Sequence, residues 1–93
     1  MAPLHRHLED DEAWYVLEGR LGFCRGGERL LAAAGSAVLV PRGVAHTFWN
    51  AGPGRARYLI LMSPRVAALV AALHEPGADP RELFPRHASE LLA

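Results

Sequence analysis

Four side chains in this 93-residue sequence have the types and the spacing to hold a metal ion. His5 and His7 are two residues apart, so on a strand both imidazoles leave the same face. Glu12 follows five residues later, across Glu9-Asp10-Asp11, which reads as the turn between two strands. Opening the second of those strands, Glu12 can lie opposite the histidines, with Trp14 and Val16 on its own face. His46 stands far along the chain, at the start of a strand whose same side carries Phe48 and Asn50. Three neutral imidazole nitrogens and one carboxylate oxygen make a mixed donor set for a first-row transition metal, and Fe(II), Mn(II), Ni(II), Cu(II) and Zn(II) all suit it. Taken singly, each residue has an ordinary structural explanation. A histidine pair near a terminus is a solvated strand, Glu12 a surface charge in an acidic turn, and His46 a half-buried strand histidine. The set carries the chemistry; no member does so alone.

The elements that must position these residues fall in two groups. Residues 13–18, 21–23, 28–31, 37–40, 44–49 and 58–62 are short runs rich in branched and aromatic side chains, separated by Gly and Pro signals such as Gly26-Gly27, Gly35-Ser36 and Asn50 to Gly54. Short strands at that spacing predict a sandwich or barrel. After Met62 the period changes. Ser63-Pro64 supplies an N-cap and a first-turn proline, and Val66, Leu69, Val70 and Leu73 form one helical stripe that Gly77 ends. Asp79-Pro80-Arg81-Glu82 starts a second helix, with Pro85 expected to delay its start and Phe84, Ala88 and Leu91 as its buried side. The helices are expected to cover the sheet or a subunit interface.

Composition excludes several functions. Apolar residues make up 51% and charged residues 22%, which describes a folded chain of one small domain. Ten basic side chains, all Arg, balance ten acidic ones, so no net field draws the chain to nucleic acid or to a membrane surface. Apolar runs fall far short of the ~20 residues that a membrane span needs, and a cytoplasmic location is expected. One cysteine, Cys24, rules out a disulfide framework and reads as a small buried apolar residue. His74 and His87 read as solvated tail residues, Arg42 as surface, and Arg55 and Arg57 as exposed partners of the acidic turn. No phosphate-binding loop, dinucleotide fingerprint or nucleophile elbow is present.

Residues 5–19, HRHLEDDEAWYVLEG, fill the pattern His-x-His, four residues, Glu, six residues, Gly. Residues 35–50, GSAVLVPRGVAHTFWN, fill a second pattern: Gly, five residues, Pro-x-Gly, two residues, His, three residues, Asn. With both filled, the sequence resembles the small single-domain cupins of the conserved-barrel type, especially bacterial forms with a helical C-terminal tail. The resemblance implies an all-β domain with C-terminal helices. Residues 1–63 would form a small antiparallel jelly-roll barrel, and residues 64–93 a helical tail on the barrel or on a dimer interface. It implies His5, His7, Glu12 and His46 as metal ligands, with Pro41 and Gly43 shaping the turn that presents His46. Gly19 and Gly35 would be hairpin turns. Trp14, Val16 and Phe48 would line an apolar substrate pocket, positions that serve equally as barrel core. The family's first motif opens with a glycine six positions before the first histidine, which here falls before Met1. The barrel is therefore expected to be incomplete at its N-terminus, with a homodimer covering the open side by strand exchange or edge pairing.

An open metal position beside an apolar pocket suits a dioxygenase-like oxidoreductase acting on a small organic molecule. A non-catalytic module that senses a small molecule or a metal is the second reading. A sugar or keto-acid isomerase or epimerase ranks last, because it needs further acid–base groups and Tyr15 and Tyr58 are the only phenols. The barrel itself does not select among reactions, and no catalytic residue is assigned.

Overall fold

A computed structural model describes residues 3–92. Seven strands precede two helices: β1 (His5–His7), β2 (Glu12–Glu18), β3 (Arg20–Arg25), β4 (Glu28–Ala33), β5 (Ala37–Val40), β6 (His46–Asn50), β7 (Arg57–Met62), α1 (Pro64–Leu73) and α2 (Pro80–Arg86). An eighth strand, β8 (Ser89–Leu91), follows. The strands form two antiparallel sheets, one in the order β4-β3-β6-β1-β8 and the other β5-β2-β7. This is the expected small antiparallel fold with C-terminal helices.

Alternation along β2 sends Glu12, Trp14 and Val16 inward and leaves Tyr15 and Leu17 outside. Val38 and Val40 of β5 join them from one sheet, and Leu21, Phe23 and Ala32 close the core from the other. Trp14 meets the Phe23 ring edge-on at 5.2 Å, the offset geometry that aromatic quadrupoles favour.

The acidic turn before β2 is tied down by Arg42, whose backbone and side chain bond Asp11, and by Arg65, which pairs with Glu9. Arg55 and Arg57 lie instead beside Glu18 at the far end of β2. The helices begin where their caps predict: Ser63 accepts from Val66 N, and Asp79 from Arg81 N. α1 closes at Leu73, before the glycine, and Gly77 lies in the following turn with φ +79°. Pro85 does not delay α2, since it sits in the last turn.

The largest departure comes after α2. Ala88 and Leu91 do not extend its buried face. Ala88 turns into the left-handed region at φ +50°, and the chain runs back along β1 as β8. The pairs are His5↔Leu91, Arg6↔Glu90 and His7↔Ser89, so the edge of β1 is covered by the chain's own C-terminal segment. No helix among the described residues is long and apolar enough to cross a membrane.

Candidate metal centre

The register of the larger sheet brings the three histidines together. His5 of β1 lies directly across from His46 of β6, and their rings are 4.3 Å apart. Strand alternation puts His7 on the same face, with its ring 4.9 Å from that of His5 and 5.4 Å from that of His46. Glu12 arrives from the other sheet. It accounts for the fourth corner, and the nearest donor atoms of all four lie within 4.8 Å of one another. None is more than 9% exposed.

Hydrogen bonds at the rear of the rings set their tautomers. Nδ1 of His5 lies 2.6 Å from the Pro3 carbonyl, and Nδ1 of His46 lies 3.0 Å from the Val44 carbonyl. A carbonyl only accepts, so both rings carry their proton on Nδ1 and turn the Nε2 lone pair inward. Nε2 of His7 and Nε2 of His46 both lie 3.2 Å from Glu12 Oε1. Lone pairs and a carboxylate oxygen facing one another in a buried space repel, unless a cation stands between them. A proton or a metal ion meets that need, and the donor set fits a divalent transition metal.

The electrostatics agree. Burial pushes the His5 imidazole down to about 4, against a weaker opposing effect of the Pro3 hydrogen bond. At neutral pH the ring is therefore neutral and offers its lone pair without first losing a proton. For Glu12, burial pushes the carboxyl up, but its close contacts with the His46 and His7 rings together outweigh that and hold the group at about 2. Glu12 is an anion throughout the physiological range.

A cavity of about 510 Å³ opens from this cluster, and His5, His7 and Glu12 form its floor. Trp14 and Phe48 stand in its wall, with ring centres 5.3 Å apart. Val16 does not line it and lies in the core at 0% exposure. Residues outside the two motifs supply much of the rest. Tyr58, Ile60 and Met62 enter from alternate positions of β7, a parity legible in the sequence. The α1 stripe of Val66, Leu69, Val70 and Leu73 forms the roof, with Phe84 of α2 set edge-on 5.4 Å from the His5 ring. His74 also lines the cavity, with Nδ1 bonded to the Val70 carbonyl. That the helices close the site, and do not merely pack behind the sheet, had no sequence signal beyond their apolar stripe.

Comparisons with known proteins place the fold. The profile of a family described as Cupin domain matches residues 1–62. An oxidoreductase of Pestalotiopsis fici is 42% identical over 48 residues, which are 50% of this chain and 24% of that protein. A putative sugar phosphate isomerase of Acidithiobacillus ferrooxidans superposes with a TM-score of 0.58 at 28% identity, over 63% of this chain and 38% of that one. A cupin domain of Schizosaccharomyces pombe superposes with a TM-score of 0.62 at 13% identity, over 83% of this chain and 56% of that one, a likeness of fold alone. The matched stretches cover 24% and 50% of the length of the curated relatives.

Proposed function

The chain belongs to the cupin domain family, and we propose that it binds one divalent transition-metal ion through His5, His7, Glu12 and His46 and oxidises a small apolar molecule in a dioxygenase-like reaction. The observation that carries this reading is the buried convergence of four electron-pair donors, three of them in the floor of an apolar cavity. A metal held there supplies a Lewis-acid or redox centre beside the bound molecule. Trp14, Phe48 and Tyr58 offer ring faces and edges to a flat substrate, and the α1 roof excludes water from it. His5, His7 and His46 keep their inward nitrogens unprotonated through the bonds on their outer nitrogens. The similarity to an oxidoreductase supports the reading at the level of reaction class.

The alternatives differ in what the wall must provide. A phosphorylated sugar needs a cationic partner, and among the described residues no Arg or Lys lines this cavity, which counts against the isomerase reading. The non-catalytic binding module remains the second reading. Apart from His5, His7 and Glu12, the lining groups able to move a proton among the described residues are Tyr58 and His74.

Elemental mass spectrometry on tag-free protein, beside a His46→Ala variant, tests the metal centre. Near-stoichiometric metal in the parent and its loss in the variant are expected; no metal in either after reconstitution would refute the centre. Oxygen uptake by iron-loaded protein with small aromatic and enol compounds then tests the reaction. Uptake with none of them hands the assignment to the binding module.

A further inference from the structure

The centre has an outer support that neither motif contains. Nδ1 of His7 lies 2.7 Å from the hydroxyl of Ser89, which in turn donates to the His87 carbonyl at 3.0 Å. A serine hydroxyl has a single hydrogen. With that hydrogen committed to His87, Ser89 Oγ can only accept from His7, so the His7 proton is held on Nδ1 and Nε2 is left bare toward Glu12. Ser89 is 1% exposed, and bulk water does not compete for the bond.

The three histidines differ in how they are held. His5 and His46 lean on carbonyls two residues away in sequence, whereas His7 is oriented by a residue 82 positions distant. Ser89 reaches it only because the left-handed turn at Ala88 sends β8 back along β1. Backbone bonds from Leu8 N to Ala88 O (2.7 Å) and from Leu92 N to Leu4 O (3.0 Å) pin that strand at both ends. The preceding helix sets Phe84 against His5. One C-terminal segment thus braces two of the three imidazoles from outside.

We infer that Ser89 is a positioning residue for the metal centre, and that docking of the C-terminal strand and metal binding are coupled. The inference rests on the metal-centre reading above. A segment that favours the ligating tautomer of His7 strengthens metal binding, and by reciprocity metal binding must tighten that segment.

The test uses zinc(II) as the probe, on the parent and on Ser89→Ala. Chelator competition should show zinc bound about 10–100-fold more weakly by the variant. Imidazole ¹⁵N spectra of the metal-free proteins should show His7 protonated on Nδ1 in the parent and a tautomer mixture in the variant. In the parent alone, zinc should slow hydrogen exchange at the amides of residues 89–91, a readout that does not depend on the variant folding. Parental zinc affinity with an unchanged His7 tautomer in the variant would overturn the role of Ser89. Unchanged exchange in β8 on zinc binding would overturn the coupling. A parent that binds no zinc refutes the metal centre itself, and the His7 tautomer in the metal-free proteins still decides what Ser89 does.

Discussion

Substituting alanine at Gly19 and at Gly35 separates two costs that are usually merged. Both glycines adopt left-handed backbone, with φ of +77° and +89°. An L-residue there costs roughly 1–2 kcal/mol, offset by about 0.4–1 kcal/mol because alanine stiffens the unfolded chain. Around Gly35 a new Cβ meets nothing within 4 Å, so Gly35→Ala should cost about 0–1.6 kcal/mol. At Gly19 the same atom would come within 2.5 Å of the Arg55 carbonyl oxygen and 3.0 Å of the Ala56 Cα. Those are backbone atoms, so no side chain can swing aside and the chain before β7 must shift. Forced shifts of that kind add roughly 1–3 kcal/mol, which brings Gly19→Ala to about 1–4.6 kcal/mol. The assay is urea unfolding of chelator-treated protein, with midpoint and slope fitted for each variant. Equal losses for the two variants, at unchanged slope, would show that the Arg55 carbonyl is no obstacle and would refute the reasoning.

Two further outcomes concern acid and assembly. In metal-free protein His5 sits at about 4 against 6.5 in the unfolded chain, so between those values the unfolded state binds the extra proton. Its contribution, on the order of 3 kcal/mol, is complete above pH 6.5 and lost as the pH falls to about 4. Glu12, at about 2 against 4.5, extends the loss into stronger acid, where its contribution disappears as the pH falls through the lower value. Urea titrations from pH 7 to 3 should show this slope, and His5→Gln should flatten its upper part; a parental slope in that variant would remove His5 from the account. On the outer face of the three-stranded sheet, Tyr15, Leu17, Leu39, Leu59 and Leu61 are 41–59% exposed and lie side by side, Tyr15 facing Leu59 and Ala13 facing both Leu39 and Leu61. A neutral apolar face of this kind is complementary to its own copy, so light scattering should give a homodimer at micromolar concentration and Leu61→Glu a monomer. A monomeric parent would count against it.

Strand alternation, helix caps and motif spacing are local properties, and they were legible. The parity of His5 with His7 and of Glu12 with Trp14 follows from the two-residue period of a strand, and Ser63 and Asp79 cap their helices through bonds to residues two or three positions away. The four donors could be named from residue type and spacing alone. Their meeting point could not, because it depends on β1 pairing with β6 while β2 lies in the facing sheet. The end of the chain was misread for a related reason. Ala88 and Leu91 continue a helical stripe on paper, but three residues of strand after a turn carry no periodicity to reveal them. What recruits Ser89 to His7 is the open edge of β1, whose unpaired backbone groups take the nearest available strand. The sequence alone determined which residues could bind a metal; only the tertiary structure decided which distant groups hold them and how the helices enclose the space beside them. Hydrogen bonds and burial across 82 residues of chain depend on how sheets pair, and no local pattern encodes that pairing.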